Sequence, residues 1–264
     1  MDTFQAHYAD IRDPGQVQAV AARLRADGLV TFDGISSRYE LPALAEAFMA
    51  IRLHRDSGPG GVTVITDTGS RSPGYAAFTD RELTPHTDGA ADADPPGLLL
   101  LACLQPGRIG GSTIAADGAK VTAALAACGP AAVTALSAAD AALFARGSSE
   151  GTWRPVLAPA GPGQCRIRFR SDDLASFSAA ARAALPVLDA SISQHLETIT
   201  LQAGQGVMLS NTRWLHGRTR YTGDRLMLRV QGDPLPWTGI QPGFPVPALV
   251  WQNCSGTVAV AGAA

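Results

Sequence analysis

His86 and Asp88, in the segment Leu83-Thr84-Pro85-His86-Thr87-Asp88-Gly89, are of a type and spacing that could hold a cation. Side chains alternate across an extended strand, so residues i and i+2 project from one face. A second imidazole arriving from a distant strand would complete a set of two histidines and one carboxylate, and His216 is the candidate. Such a set covers one face of a metal and leaves the remaining positions open, the donor arrangement that suits non-haem Fe(II) oxygen chemistry. A His-x-Asp triplet alone is a weak signal. Thr87-Asp88-Gly89 is equally good surface-turn chemistry, since Gly89 tolerates positive φ.

The surroundings of His216 add weight. Asn211-Thr212-Arg213-Trp214-Leu215-His216-Gly217-Arg218 lies between two strand-like stretches, Val207–Ser210 and Leu226–Gln231. In the second, Leu226, Leu228 and Val230 share one face, while Arg225, Met227 and Arg229 share the other. Two inward arginines are costly unless anions meet them, and guanidinium suits bidentate recognition of carboxylates. The plain alternative is that both lie on a solvated face.

Four features in order carry a family resemblance: Leu-x-Pro-His-Thr-Asp-Gly at 83–89, Gly-Gly-x-Thr at 110–113, Asn-x-Arg-x-Leu-His-Gly-Arg at 211–218 and Arg-x-x-x-Arg at 225–229. From about residue 75 to 231 the chain resembles the taurine dioxygenase/clavaminate synthase-like branch of the Fe(II)- and 2-oxoglutarate-dependent oxygenases. The resemblance implies a mainly β fold with flanking helices and a double-stranded β-helix (jelly-roll) core. It implies that His86, Asp88 and His216 bind Fe(II). Arg225 would grip the distal carboxylate of 2-oxoglutarate with the Thr113 hydroxyl beside it, and Arg229 would meet a substrate anion. The stretch from His216 to Arg225 is shorter than in some relatives, which leaves the two arginine roles exchangeable. Tyr75 and Phe78, just before the metal motif, line the substrate pocket or pack in the core.

The implied activity consumes O2 and 2-oxoglutarate, releases succinate and CO2, and oxidises a C–H bond of a small molecule, such as an amino acid or another carboxylate-bearing metabolite. Hydroxylation is the first expectation, with desaturation, cyclisation or epimerisation as other outcomes of the same centre. Related halogenases lack the carboxylate ligand, a position that Asp88 fills. A zinc hydrolase or isomerase could use the same three donors, but it would leave Gly-Gly-x-Thr and the paired arginines unexplained. A non-catalytic β-helix binding protein is the reading for broken ligands, and these are intact.

The elements that must position these residues are legible in outline. The chain of 264 residues reads as one oxygenase domain, with no internal repeat or dividing linker. Helical spacing marks Gln16 to Ala26, closed by Gly28, and Leu41 to Leu53. Residues 55–80 are rich in Gly, Ser, Thr and Pro and read as an active-site lid. Leu98 to Leu104 reads as a strand buried on both faces, and Asp117 as the cap of a following helix. A strand is expected from Gln164 to Arg170, a helix from Leu174 to Leu196 with Pro186 inside, and further strands at Ile199–Leu201, Val207–Ser210 and Leu226–Gln231. The last residues, about 250–264, read as a mobile tail.

Composition excludes several functions. Net charge is −2, and 20 of the 21 basic residues are arginine with no basic block, which argues against nucleic acid. Arg166, Arg168 and Arg170 alternate as a solvated strand face, or else an anion-binding one. No apolar run is long enough to cross a bilayer, and Met1 to Gln5 lacks the features of a secretion signal. Cys103, Cys128, Cys165 and Cys254 have no metal-type spacing, which suits reduced thiols and a cytoplasmic location. His7 and His54 read as surface residues, His195 as a helix-end residue, Trp214 as core, and Asp92 and Asp94 as a solvated loop. Oligomeric state leaves no trace in the sequence.

Overall fold

The computed structural model describes residues 2–252 apart from 71, 73, 147–149, 249 and 251. At its centre are two antiparallel sheets. In the larger, Leu29–Phe32, Gly206–Ser210, Leu98–Gln105 and Leu226–Pro234 lie side by side in that order, and the far side of Leu226–Pro234 is shared by Met49–Ile51 and Thr63–Ile65. The smaller has the order Leu196–Ile199, Thr113–Asp117, Trp214–Arg218, Leu83–His86.

The leucine run in the middle of the large sheet is apolar throughout because both of its faces are buried. Leu98, Leu100 and Ala102 face outward to Phe32, Met208, Leu228 and Val230, with Val20 and Leu24 of the helix Val17–Asp27 covering them. Leu99, Leu101 and Cys103 face inward and share a core with Ala115, Ile199 and Trp214 of the small sheet. Each fully buried leucine contributes about 1.5–3 kcal/mol by transfer from water. A third core lies beyond the small sheet, where Gly118–Cys128, Pro130–Ser137 and Ala179–Gln194 pack around Val121, Leu125, Val133, Leu136 and Leu188.

Local chemistry sets the helix ends. Gly28, at φ 70°, closes the first long helix as expected, because glycine enters the left-handed region without a Cβ penalty. The Asp117 side chain accepts from the Ala119 N–H, which makes it the expected cap. His195 sits at the C-cap of Ala179–Gln194.

Several expected boundaries move for tertiary reasons. The helix at Leu41 ends at Glu46, since Met49–Ile51 pairs with Gly232–Pro234. Ala175–Phe177 is a strand on Ala142–Phe144, so the next helix starts only after the Ser178 cap. The strand at Gln164 ends at Ile167 rather than Arg170, and Leu196–Ile199 replaces a strand at 199–201. Within 55–80, Thr63–Ile65 pairs with Met227–Arg229. The expected mobile tail lies outside the described residues except at 250 and 252. Among the described residues no helix is long and apolar enough to cross a membrane, and Cys103, Cys128 and Cys165 are free thiols.

One buried ion pair joins three of these layers. Arg213 Nε and Nη2 donate to the two Asp117 oxygens at 2.9 and 2.8 Å, and Nη1 donates to the Ala26 carbonyl at 2.6 Å. Asp117→Ala removes both the helix cap and the carboxylate that Arg213 grips, so we expect it to lower unfolding free energy by about 3 kcal/mol or more. Urea denaturation measures this. A loss under about 1 kcal/mol would mean that the pair acts like an exposed one.

Candidate active site

The strands Leu83–His86 and Trp214–Arg218 are antiparallel neighbours, and their register sets His86 opposite His216. The two imidazole centroids are 4.5 Å apart. Asp88 follows two residues after His86, in a turn that Asn211 holds closed. Asn211 Oδ1 accepts the Asp88 N–H at 2.8 Å, and its Nδ2 donates to the carbonyls of Asp88 and Pro96 at 2.9 and 2.8 Å. Gly89 completes the turn at φ 68°. The Thr-Asp-Gly segment is therefore a turn as well as a donor group, and the turn brings the carboxylate back over the imidazoles.

Asp88 Oδ1 lies 3.4 Å from His86 Nε2 and 3.7 Å from His216 Nε2. One donor atom from each of the three residues falls within 4.8 Å of the others. The other Asp88 oxygen accepts from Arg229 Nη1 at 2.7 Å. Burial alone would raise the Asp88 carboxyl, but the Arg229 guanidinium against it outweighs burial and holds the group well below the usual carboxylate range. Burial, and then the His86 ring, push His216 down to about 3. That keeps the imidazole neutral, with a lone pair to give. His86 Nδ1 contacts the Thr84 carbonyl at 2.9 Å, so it carries the proton and Nε2 faces the centre, as a ligating histidine requires. Two imidazole nitrogens and one carboxylate oxygen converging from one side fit a divalent first-row metal with open positions.

Those positions face a cavity of about 210 Å³ between the two sheets. Leu101, Met227, Arg229 and Gln231 line it from the large sheet, Thr113 and His216 from the small one, and Arg225 from just before Leu226–Pro234. Gly-Gly-x-Thr supports Arg225 through its backbone. Gly111 has φ 82°, and a Cβ there would come within 3.0 Å of Arg225 Nε. Thr219 Oγ1 accepts the N–H groups of Gly111 and Ser112, both at 3.1 Å. Arg225 is buried, and burial followed by repulsion from Arg218 pushes it down to about 10, still a cation at neutral pH.

The structure brings His86, Asp88, His216, Thr113, Arg225, Arg229 and Phe78 around one cavity. Tyr75 stands outside its lining, with its ring packed 6.0 Å from that of Phe78 and Arg55 over its face at 5.0 Å. Arg229, expected at a substrate anion, grips Asp88. The reading of Arg166, Arg168 and Arg170 as a solvated or anion-binding face fails at Arg168. Arg168 is buried and donates to the carbonyls of Ala90, Asp92 and Ala93, while Arg170 pairs with Asp172 at the cavity wall. Asp92 likewise lines the cavity, paired with Arg146, whereas Asp94 is exposed as expected.

Two histidines read as surface residues are half-buried. His7 packs against the buried Trp214 with centroids 6.1 Å apart. His54 lines the cavity, its Nδ1 accepting the Asp56 N–H at 3.2 Å. Burial, then Arg229, pushes His54 below its ordinary value, so it presents a neutral ring with the proton on Nε2. It sits in an irregular segment, where no periodic pattern marks it.

Residues 2–231 match the family model described as taurine catabolism dioxygenase TauD, TfdA family. The chain belongs to this family. Comparison with curated protein sequences gave no match. Among solved structures, an asparagine oxygenase (AsnO) aligns with TM-score 0.68 at 19% identity, covering 83% of this chain and 79% of that one. A non-heme iron oxygenase, OrfP, in complex with Fe and alpha-ketoglutaric acid aligns with TM-score 0.59 at 17% identity, covering 86% of each chain. At these identities the likeness is one of fold.

Within this TauD/TfdA chain, Arg229 holds Asp88 as a carboxylate partner holds a ligating histidine. Loss of such a partner weakens metal binding about 10- to 100-fold, and we expect that range for Fe(II) binding to Arg229→Gln in anaerobic titration. Asp88→Ala should abolish both binding and turnover while the Asn211 bonds to its backbone keep the turn. Unchanged Fe(II) affinity in Arg229→Gln would show that the arginine does not act through Asp88.

Proposed function

We propose that this chain is an Fe(II)- and 2-oxoglutarate-dependent oxygenase that hydroxylates a C–H bond of an amino acid or a similar carboxylate-bearing small molecule. The reading rests above all on one observation: three convergent metal donors share a small cavity with a buried arginine, Arg225, that has no carboxylate partner among the described residues. His86 Nε2, Asp88 Oδ1 and His216 Nε2 would hold the metal. Arg225 would bind the distal carboxylate of 2-oxoglutarate, with the Thr113 hydroxyl beside it. When bound, iron and 2-oxoglutarate supply the oxidising chemistry, consuming O2 and releasing succinate and CO2. The two facing sheets are read as the halves of a double-stranded β-helix, and the described chain as one domain.

The protein's share is to bind, orient and keep water out. Leu101, Met227 and Phe78 give the cavity apolar walls near the donors. At the other walls stand Arg170 with Asp172, Arg146 with Asp92, and Arg55 with Asp56. Such paired charges can reorganise around a zwitterion or a carboxylate, and the neutral His54 adds an N–H donor. The cavity is smaller than the roughly 300–1,000 Å³ of sites for drug-sized ligands, which favours a small metabolite. Residues 53–56, 74 and 76–78 line it and form the side from which substrate would arrive, in and just before the segment 55–80 read as a lid.

The solved structures point to the substrate class. One asparagine oxygenase structure contains Fe(II), 3-hydroxyasparagine and succinate, and one OrfP structure contains Fe, succinate and (3S)-hydroxy-L-Arg. Those are products of amino-acid hydroxylation on the same fold.

Anaerobic protein loaded with Fe(II) should develop a weak visible charge-transfer band when 2-oxoglutarate is added. A panel of free amino acids should then contain at least one that raises succinate formation in air. Absence of the band under saturating Fe(II) and 2-oxoglutarate would refute the cofactor assignment. A band with no response to any amino acid would move the substrate to another class.

A further inference from the structure

Between His216 and Arg225 the chain turns back through the two-residue strand Tyr221–Thr222, which pairs with Ile109–Gly110. This return buries the Tyr221 ring within reach of two guanidinium groups. Arg218 Cζ lies 5.1 Å over the ring and Arg225 Cζ 5.4 Å over it. Both distances are within cation–π range, where the negative face of the ring attracts a cation.

The two arginines differ in what else holds them. Arg218 Nη1 donates to the Ala77 carbonyl at 3.0 Å, and Nη2 donates to those of Thr79 and Arg81 at 2.6 and 2.5 Å. The Tyr221 N–H donates to the Asp80 carbonyl at 3.1 Å. Tyr221 is thus fastened to residues 77–81 twice, through its own backbone and through Arg218. Arg225 has no hydrogen bond or ion pair among the described residues. Its stem passes the bare Cα of Gly111, and its charged end lies over the Tyr221 ring. A long, flexible cation loses rotamer freedom on binding an anion unless something fixes it beforehand.

We propose that Tyr221 is the positioning residue for Arg225: its ring, held in place by Arg218 and the 77–81 backbone, fixes the guanidinium that receives the distal carboxylate of 2-oxoglutarate. The ring also lies against both cations, whose mutual repulsion would otherwise drive Arg225 away from Arg218. This inference rests on the role of Arg225 given above.

The test is anaerobic titration of the Fe(II)-loaded protein with 2-oxoglutarate, followed by calorimetry, for Tyr221→Leu, Tyr221→Phe and Arg225→Gln. Tyr221→Leu should weaken 2-oxoglutarate about 3- to 30-fold, the range that one cation–π contact supports. Tyr221→Phe keeps the aromatic face and should stay close to wild type. The same titrations with 2-oxobutyrate, which has no distal carboxylate, should show no added loss in Tyr221→Leu, because Arg225 then has nothing to hold. Equal weakening of both oxo acids would overturn the proposal and assign Tyr221 to general support of the site. So would Tyr221→Phe falling as far as Tyr221→Leu, or Tyr221→Leu matching wild type while Arg225→Gln binds 2-oxoglutarate poorly. If Arg225→Gln itself binds 2-oxoglutarate normally, the parent assignment fails and this one with it.

Discussion

A carboxylate with almost no access to water governs this structure. Asp88 is buried between two sheets, where an isolated anion would protonate rather than stay charged. It stays ionised because Oδ2 accepts from the Arg229 guanidinium, while Oδ1 faces the two imidazoles. Those partners come from three strands in two sheets, so the site exists only if both sheets are in register. The pairing of His86 with His216 across the small sheet is one requirement. The inward pointing of Arg229 in the large sheet is the other, and a one-residue slip in either strand would turn those side chains away.

Arginines serve this chain in two ways. Arg168, Arg213 and Arg218 donate to backbone carbonyls and tie loops to the sheets, with Asp117 as an added partner for Arg213. Arg229 and Arg225 instead point into the cavity, one already matched by an anion and the other not. Guanidinium can do both because it stays charged when buried and spreads its donors in a plane. Lysine has three donors on one compact ammonium and lacks the planar spread with which Arg218 reaches the Ala77, Thr79 and Arg81 carbonyls. The near absence of lysine is consistent with that use.

What the sequence makes legible follows from how local each cause is. The Gly28 and Asp117 caps depend on one or two neighbouring residues, and they stand where the pattern places them. The alternation of Arg225, Met227 and Arg229 against Leu228 and Val230 is a property of one strand, and it too is visible beforehand. Met49–Ile51 and Thr63–Ile65 are strands only because Leu226–Pro234 offers an edge to them, so helical spacing at 41–53 misleads and 55–80 reads as irregular. Arg168 and His54 show the same limit at the level of side chains. Arg168 is satisfied by carbonyls of the loop after Gly89, and His54 by a turn beside a cavity, and neither partner is adjacent in a periodic element.

The division of labour between strand and loop bears on what can vary. The three donors, Thr113 and Arg229 lie on strands or on a turn clamped by Asn211, with their backbones fixed by sheet registers. The charged pairs at the outer wall sit largely in connecting segments and are partly exposed. Changing a residue on a strand would disturb its neighbours across the ladder, whereas changing Arg55, Arg170 or Asp172 alters one pair at the cavity rim. On the function proposed above, positioning of the reacting centre and choice of substrate would be carried by different parts of the chain. The fold constrains the first strongly and the second weakly. A family that keeps one oxidising centre while varying its small-molecule substrates needs that separation, since a centre shared with the specificity loops would be disturbed by each new substrate.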